Sequence, residues 1–260
     1  MYTGPVTGMN RIQLYLSHPH PCSYLEQEQA KTLFLDPQAE LNTEVYGQLI
    51  DQGFRRSGAM VYRPLCDQCN QCLPARVPVD LFQPRRSQRR IREKWRSVET
   101  IVRKADFRPE QFALYTRYLD ARHPDGGMND ASEQRYLEFL TAPWSDTLFV
   151  EFRLDGRLAG VAVTDRLPQG LSAVYTFFDP DCEKLSPGVY AILWQIAETQ
   201  RLGLSYFYLG FLVPGCRKMA YKSEYRPLQL FNYQEEKWIP LDGLSTAPLV
   251  SLLREPLNKS

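Results

Sequence analysis

Three cysteines stand with two residues between each in the stretch Tyr62-Arg-Pro-Leu-Cys66-Asp-Gln-Cys69-Asn-Gln-Cys72-Leu-Pro-Ala-Arg76. Thiolates at that spacing can chelate a single ion. A closed zinc or iron–sulfur site needs a fourth ligand, and Cys22, His18 and His20 are the candidates. Two other readings stay open: small buried thiols filling a tight loop, and a redox-sensing group. Cys182 and Cys216 stand alone and read as packing residues or minor lining groups of a site.

A dozen residues downstream comes the densest positive charge in the chain. Arg85, Arg86, Arg89, Arg90, Arg92, Lys94 and Arg96 are opposed only by Glu93. Like charges this close repel one another unless phosphates or carboxylates neutralise them. A nucleic-acid backbone is the favoured partner, and a solvated helix face is the plainer alternative. Trp95 either stacks on a base or anchors the helix.

Two further stretches carry candidate chemistry. Phe178-Asp179-Pro-Asp181 leads into Ser186-Pro-Gly188, where a helix N-terminus could meet phosphates. A single glycine there is a poor pyrophosphate cradle, which weighs against coenzyme A as a donor. Lys218, Lys222 and Arg226 recur every four residues. On a helix they would form one basic row, able to hold a carboxylate or phosphate or merely exposed to water. His123 precedes a proline with no nucleophile beside it and reads as structural.

These groups need a scaffold, and 260 residues with 43% hydrophobic content can bury a substantial core in one or two domains. The formal net charge of +1 means that any nucleic-acid binding must come from a local patch. No apolar run approaches the roughly 18 residues that span a bilayer, and the N-terminus lacks a secretory pattern. A cytoplasmic protein with reduced thiols is expected.

The elements follow in order. Residues 11–16 alternate as a strand, and 17–24 form a proline-broken loop. Residues 25–33 show weak helical character; the alternative is a turn before a strand at 31–35. Residues 43–52 form an amphipathic helix capped by Thr43 and closed by a left-handed Gly53. A strand leads from Phe54 into the cysteines. Residues 77–82 are a short edge strand, because Pro78 lacks a donor. The basic run from Arg85 to Lys104 is helical, with Ile91, Trp95 and Val98 on its apolar face.

Helices at 109–120 and 132–140 flank a glycine-rich loop at 122–128, and Ser132 is a candidate cap. A hairpin turns at Asp155-Gly156. Then come a strand at 171–180, a helix from 189 to 200 opened by Pro187, a strand at 204–210, a short helix at 219–225 and a strand at 228–233. The tail beyond Pro240 is loosely held. The order matches acyl-CoA N-acyltransferase (GNAT) folds, an analogy of fold alone. The expected class is α+β. A small cysteine-containing N-terminal domain spans 1–95, a GNAT-like domain 96–245 and a tail 246–260, with the boundary between about Pro84 and Asp106.

The motifs also resemble a known family. Tyr62-Arg-Pro-Leu-Cys66 with its two further cysteines and Arg76, and the Arg-Ser-Gln-Arg-Arg run, are similar to the arginyl-tRNA–protein transferases, in their bacterial aspartate/glutamate leucyltransferase branch. So are His20-Pro-Cys-Ser-Tyr-Leu25, Gly53-Phe-Arg-Arg-Ser-Gly58, Arg122-His-Pro-Asp-Gly-Gly-Met128, Tyr175-Thr-Phe-Phe-Asp-Pro180, Leu185-Ser-Pro-Gly-Val-Tyr190 and Lys218-Met-Ala-Tyr-Lys222. The similarity runs from about residue 10 to 240. Pro187 departs from the family's leucine, and Leu25 stands where eukaryotic relatives carry a second early cysteine.

The resemblance implies transfer of leucine, or arginine, from charged tRNA to the α-amine of proteins beginning with Asp or Glu, which marks them for N-end rule degradation. The partners implied are leucyl-tRNA or arginyl-tRNA and those protein substrates, with no membrane and a monomeric enzyme. An aminoacyl ester is already activated, so no cofactor is required; a zinc ion or iron–sulfur cluster on Cys22, Cys66, Cys69 and Cys72 is the open addition. The chemistry then needs proximity, a weak base and an oxyanion donor. Asp179 is the candidate to bind or deprotonate the amine, and Tyr175, Tyr208 or Tyr221 to polarise the carbonyl or relay a proton. Arg56, Arg76, Lys218 and Lys222 are candidates for the substrate carboxylate. Arg85, Arg86, Arg89, Arg90, Arg92 and Arg96 would grip the tRNA. An acetyl-CoA-dependent GNAT acetyltransferase and a non-catalytic metal-knuckle RNA-binding protein are the alternatives.

Overall fold

Short, half-apolar strands dominate residues 12–70 because prolines, glycines and paired polar residues interrupt every longer apolar run. A computed structural model of the chain describes residues 12–122 and 132–241. The expected glycine-rich loop, His123 and the tail lie outside these residues, as does Arg11. The chain divides into two compact units: one holds 12–78 and 209–241 of the described residues, the other 79–208. This division differs from the expected cut near residue 95, because the last strands return to the first unit.

In the first unit, β1 (Leu14–Leu16), β2 (His20–Pro21), β3 (Gln29–Ala30) and β4 (Thr32–Leu35) precede helix α1 (Thr43–Asp51). The region 25–33 therefore takes its extended alternative, with β2 and β3 paired antiparallel. α1 buries Tyr46, Leu49 and Ile50, three residues at helical spacing. Its cap is Asn42 and not Thr43: the Asn42 Oδ1 accepts from the Val45 backbone N–H at 2.9 Å. Gly53 is left-handed, with φ +84°, and a Cβ there would lie 2.9 Å from the Tyr233 ring.

Strands β5 (Arg55–Ser57) and β6 (Met60–Pro64) form a hairpin, which gives a four-stranded sheet in the order β1-β4-β6-β5. β7 (Leu73–Pro78) follows the cysteines. It pairs with a neighbour on each side, so it is not an edge strand; Pro78 sits at its last position, where the missing donor does least harm.

The second unit starts with a 3₁₀ turn and α2 (Arg86–Lys94). The helix stops at Trp95, and β8 (Glu99–Lys104) is a strand where a longer helix was expected. Thr100, Ile101 and Val102 are β-branched and favour the extended chain once the arginine run ends. α3 (Pro109–Arg122) and α4 (Glu133–Leu140) precede the hairpin of β9 (Asp146–Leu154) and β10 (Arg157–Leu167), then β11 (Gly170–Phe178). Ser132 caps α4 as expected, its Oγ accepting from the Arg135 N–H at 3.2 Å.

α5 (Pro187–Arg201) carries the chain over to β12 (Tyr206–Leu212), which runs parallel to β11. A Cβ on Gly170 would lie 1.9 Å from the Tyr206 carbonyl oxygen, so only glycine allows this pairing. Alternation along β9 and β10 feeds two cores. Phe149, Val161 and Val163 pack with Leu114, Tyr115 and Tyr136 of α3 and α4. Val150, Ala159 and Ala162 pack with Trp95, Tyr190 and Ala191 on the side of α2 and α5.

From Leu209 onward β12 belongs to the first unit. There follow α6 (Arg217–Ala220), a 3₁₀ turn at Tyr221–Glu224, β13 (Gln229–Asn232) and β14 (Lys237–Pro240), the last a strand that the sequence did not announce. β13 pairs with both β7 and β14. No helix among the described residues is long and apolar enough to cross a membrane.

Candidate functional site

The first unit gathers most of the candidate chemistry. Cys22, Cys66, Cys69 and Cys72 line one cavity of about 170 Å³, together with His20, Tyr24 and Tyr62. The Cys66 thiol points to the Lys31 carbonyl at 3.8 Å. Burial pushes the Cys66 thiol above its ordinary range and Cys72 up to about 12, and neighbouring thiols add to the effect. Both are therefore protonated at neutral pH. Among the described residues no three His, Cys, Asp or Glu side chains form a metal-binding group. The four cysteines share a cavity without converging as ligands of a single ion.

The four expected carboxylate-binding cations have different fates. Arg76 Nη1 donates to Asp51 Oδ1 at 3.1 Å, and its Nε donates to Gln229 Oε1 at 2.8 Å. Its guanidinium also lies 4.2 Å from the centre of the Trp238 ring. This is a buried structural clamp between α1 and β13. Arg56 is buried and donates to the Gly58 carbonyl at 3.2 Å. Lys218 is exposed while Lys222 is buried. The expected basic row on one helical face does not form, because α6 ends at Ala220 and a 3₁₀ turn carries on.

Lys222 Nζ donates to the Phe211 carbonyl at 2.7 Å and lies 3.8 Å from Met219 Sδ. Burial, reinforced by Arg55, lowers its ammonium to about 7, although Cys72 and Cys216 pull the other way. Arg55, beside the chosen Arg56 in the same motif, escaped the sequence reading. It is buried, donates to the Phe54 carbonyl at 2.6 Å and sits 5.7 Å from the Phe211 ring centre. Arg63 is likewise held between the rings of Phe54 and Tyr233. The signal for both was an arginine next to an aromatic residue in the chain, Phe54 before Arg55 and Tyr62 before Arg63. Tyr24 and Tyr62 are pushed up by burial.

The second unit places the remaining candidates. Asp179 is buried at the end of β11 and accepts from Arg117 Nη2 at 2.8 Å and from the Asp181 backbone N–H at 3.1 Å. Arg157 lies 3.9 Å from its other oxygen. A carboxylate so engaged is a better anchor than a base. Tyr175 packs among Tyr115, Tyr118 and Phe139, and burial raises its phenol. Tyr208 is fully buried, whereas Tyr221, in the first unit, is exposed.

α2 turns its cations outward. Trp95 stacks on Tyr190 at 4.8 Å, and its indole N–H donates to the Leu185 carbonyl at 2.9 Å. Of the two roles open to Trp95, the anchor is the one observed. With that face pinned to α5, Arg85, Arg86, Arg89, Arg90, Arg92, Lys94 and Arg96 are all exposed.

The family model described as the N terminus of arginine-tRNA-protein transferase matches residues 20–90, and the C-terminus model matches 110–232. The chain belongs to this family. It is 50% identical over 236 residues to the aspartate/glutamate leucyltransferase of Pseudomonas paraeruginosa, covering 91% of this chain and all of that one. To the Pseudomonas fluorescens protein of the same name it is 51% identical over 239 residues, with the same coverage. The solved C-terminal domain of a putative lysylphosphatidylglycerol synthetase from Agrobacterium fabrum is similar at a TM-score of 0.45 and 13% identity, over 81% of this chain and 70% of that one. Within the transferase family models lie the four cavity cysteines, Arg55, Arg56, α2 up to Arg90, Asp179 and Lys222.

Proposed function

We infer that the chain is an aspartate/glutamate leucyltransferase: it moves leucine from leucyl-tRNA to the α-amine of proteins that begin with Asp or Glu. The observation that carries this is identity at half of all positions across the full length of the leucyltransferases. The new N-terminal leucine then marks the acceptor for degradation. The parallel crossover from β11 through α5 to β12 is the part of the second unit that supports a GNAT-like reading.

The reaction is aminolysis. The lone pair of the acceptor's α-amine attacks the ester carbonyl, the C–O ester bond breaks as the amide forms, and the tRNA leaves through its ribose oxygen, which takes up the proton that the amine loses. The amine, with an ordinary pKa of about 8, is partly neutral at physiological pH, so positioning supplies most of the rate. Tyr221 is exposed and suits polarisation of the carbonyl, whereas Asp179 positions the β11–α5 turn through Arg117. The outward arginines of α2 hold the tRNA backbone. Replacing Arg86, Arg89 and Arg90 together by alanine lowers tRNA affinity and reduces its logarithmic salt dependence by about one for each phosphate no longer neutralised.

Purified protein is supplied with labelled leucyl-tRNA or arginyl-tRNA and with peptides starting in Asp, Glu or Ala. Leucine transfer to the Asp and Glu peptides alone is expected. Transfer to Ala, or arginine used in place of leucine, overturns the assignment.

A further inference from the structure

Buried cations are normally neutralised by a carboxylate or metal-bound anion. Lys222 is 5% exposed, and among the described residues no Asp or Glu hydrogen bonds to it or forms an ion pair with it. The groups that face it are Arg55 from β5, Cys72 from the loop before β7, Cys216 ahead of α6, and the Tyr221 ring beside it. Burial beside a second cation is a poor setting for an ammonium. One chemistry would complete it: a carboxylate brought from outside. Cys72, which lines the cavity with Tyr24 and Tyr62, is within electrostatic reach of Lys222.

Resting on the transferase reading above, we propose that Lys222 is the residue that selects acidic acceptors, its buried ammonium pairing with the side-chain carboxylate of the incoming N-terminal Asp or Glu. Three other cations drop out on geometry: Arg76 is neutralised by Asp51, Arg56 is turned to a backbone carbonyl, and Lys218 is in water. An Asn or Gln of the same shape brings no charge and leaves the buried ammonium without a counter-ion, a mismatch that sites of this kind reject by about a hundredfold or more. The selection carries a pH signature. Without substrate the ammonium titrates at about 7, and the arriving carboxylate holds its proton on. Acceptor affinity is then greatest below that value and falls by up to about tenfold per pH unit above it.

The test measures leucine transfer to peptides beginning with Asp, Glu or Asn at saturating leucyl-tRNA, for the wild type, Lys222→Met and Lys222→Arg. In Lys222→Met, KM for the Asp peptide rises at least about thirtyfold and the Asp-over-Asn preference falls by the same factor, while kcat stays within about threefold. Lys222→Arg, charged at every pH used, keeps the preference and loses the wild type's extra rise in KM between pH 7 and 9; the peptide amine titrates alike in both and cancels. An unchanged Asp-over-Asn preference in Lys222→Met, or a loss confined to kcat, overturns the inference. If the methionine variant does not fold, parallel pH profiles in wild type and Lys222→Arg overturn it instead. A wild type that moves no leucine to the Asp peptide would sink the transferase reading itself, a separate result.

Discussion

Glu151 in the second unit and Lys222 in the first are both buried ionisable groups, and they are treated in opposite ways. Glu151 is 1% exposed and accepts from Arg103 at 2.8 Å, Gln111 at 2.9 Å and Arg153 at 2.9 Å. Burial alone would raise its carboxyl, but these three donors lower it. Donors from β8, β9 and α3 converge on it, so the charge is part of how those elements are joined. Lys222 has one carbonyl, a thioether and a neighbouring cation. A charge surrounded by its own protein's donors belongs to the fold. A charge left with a like-charged neighbour is held ready for something the protein lacks.

The contrast breaks most directly at Glu151. Glu151→Ala leaves Arg103 and Arg153 facing a void and is expected to lower stability by about 3–5 kcal/mol, read as a shift of the urea midpoint. The wild-type contribution depends on acid in a defined direction. Because the folded carboxyl lies below its unfolded value, the stabilisation is complete above the unfolded pKa, about 4.3, and disappears as pH falls through the folded value. A variant with unchanged acid sensitivity would show that the three donors do not hold a charge.

Lys222 should behave in reverse. Its folded pKa of about 7 is below the unfolded value of about 10.4, so between these the unfolded chain binds more protons and stability rises with pH. The slope approaches about 1.4 kcal/mol per pH unit, or roughly 2–3 kcal/mol from pH 7 to 9. Lys222→Met, apolar and of similar length, should match or exceed wild-type stability at pH 7 and flatten that slope. Chemical denaturation at three pH values measures it. A methionine variant several kcal/mol less stable at pH 7 would make Lys222 a structural cation like those around Glu151.

Much of the second unit was legible because its signals are local. Ser132 ahead of an apolar period, Asp155-Gly156 between alternating runs, and Pro187 before a long amphipathic stretch each act within a few residues. The end of α2 was misread since seven cations set a helical impression that three β-branched residues then cancel. The site was harder. Arg76 meets Asp51 across 25 residues and Gln229 across 153, and neither partner marks it as a clamp in the sequence. Lys222 was singled out by its spacing from Lys218, yet that spacing describes a helix that ends too soon. Its burial, which gives it meaning, depends on Phe211 beyond a turn and on Arg55 far back in the chain.

The thiols of the first unit sharpen the same contrast on a smaller scale. With Cys72 at about 12, alkylation by iodoacetamide at pH 7.5 should be at least about tenfold slower at Cys72 in the folded protein than in the urea-unfolded chain, equivalent to about 1.4 kcal/mol. The rate at Cys72 should climb with pH through 9 and beyond. Equal rates, or stoichiometric zinc or iron in protein purified without oxygen and lost in Cys69→Ala, would mean that the cavity gathers thiolates after all, and Lys222 would then have an anionic neighbour of its own.

Helix caps provide the control, because here the two units should respond alike. Asn42 opens α1 and Ser132 opens α4, each accepting one backbone N–H, at 2.9 and 3.2 Å. Neither cap is charged, so Asn42→Ala and Ser132→Ala should each cost about 1 kcal/mol, with no dependence on pH between 6 and 9. If the cap in the first unit cost the same as that in the second, the difference in pH response between the units could not come from a generally weaker first unit. It would have to come from Lys222. A pH-dependent cost at Asn42 would point the other way, to a first unit whose stability is governed by more than one buried titrating group.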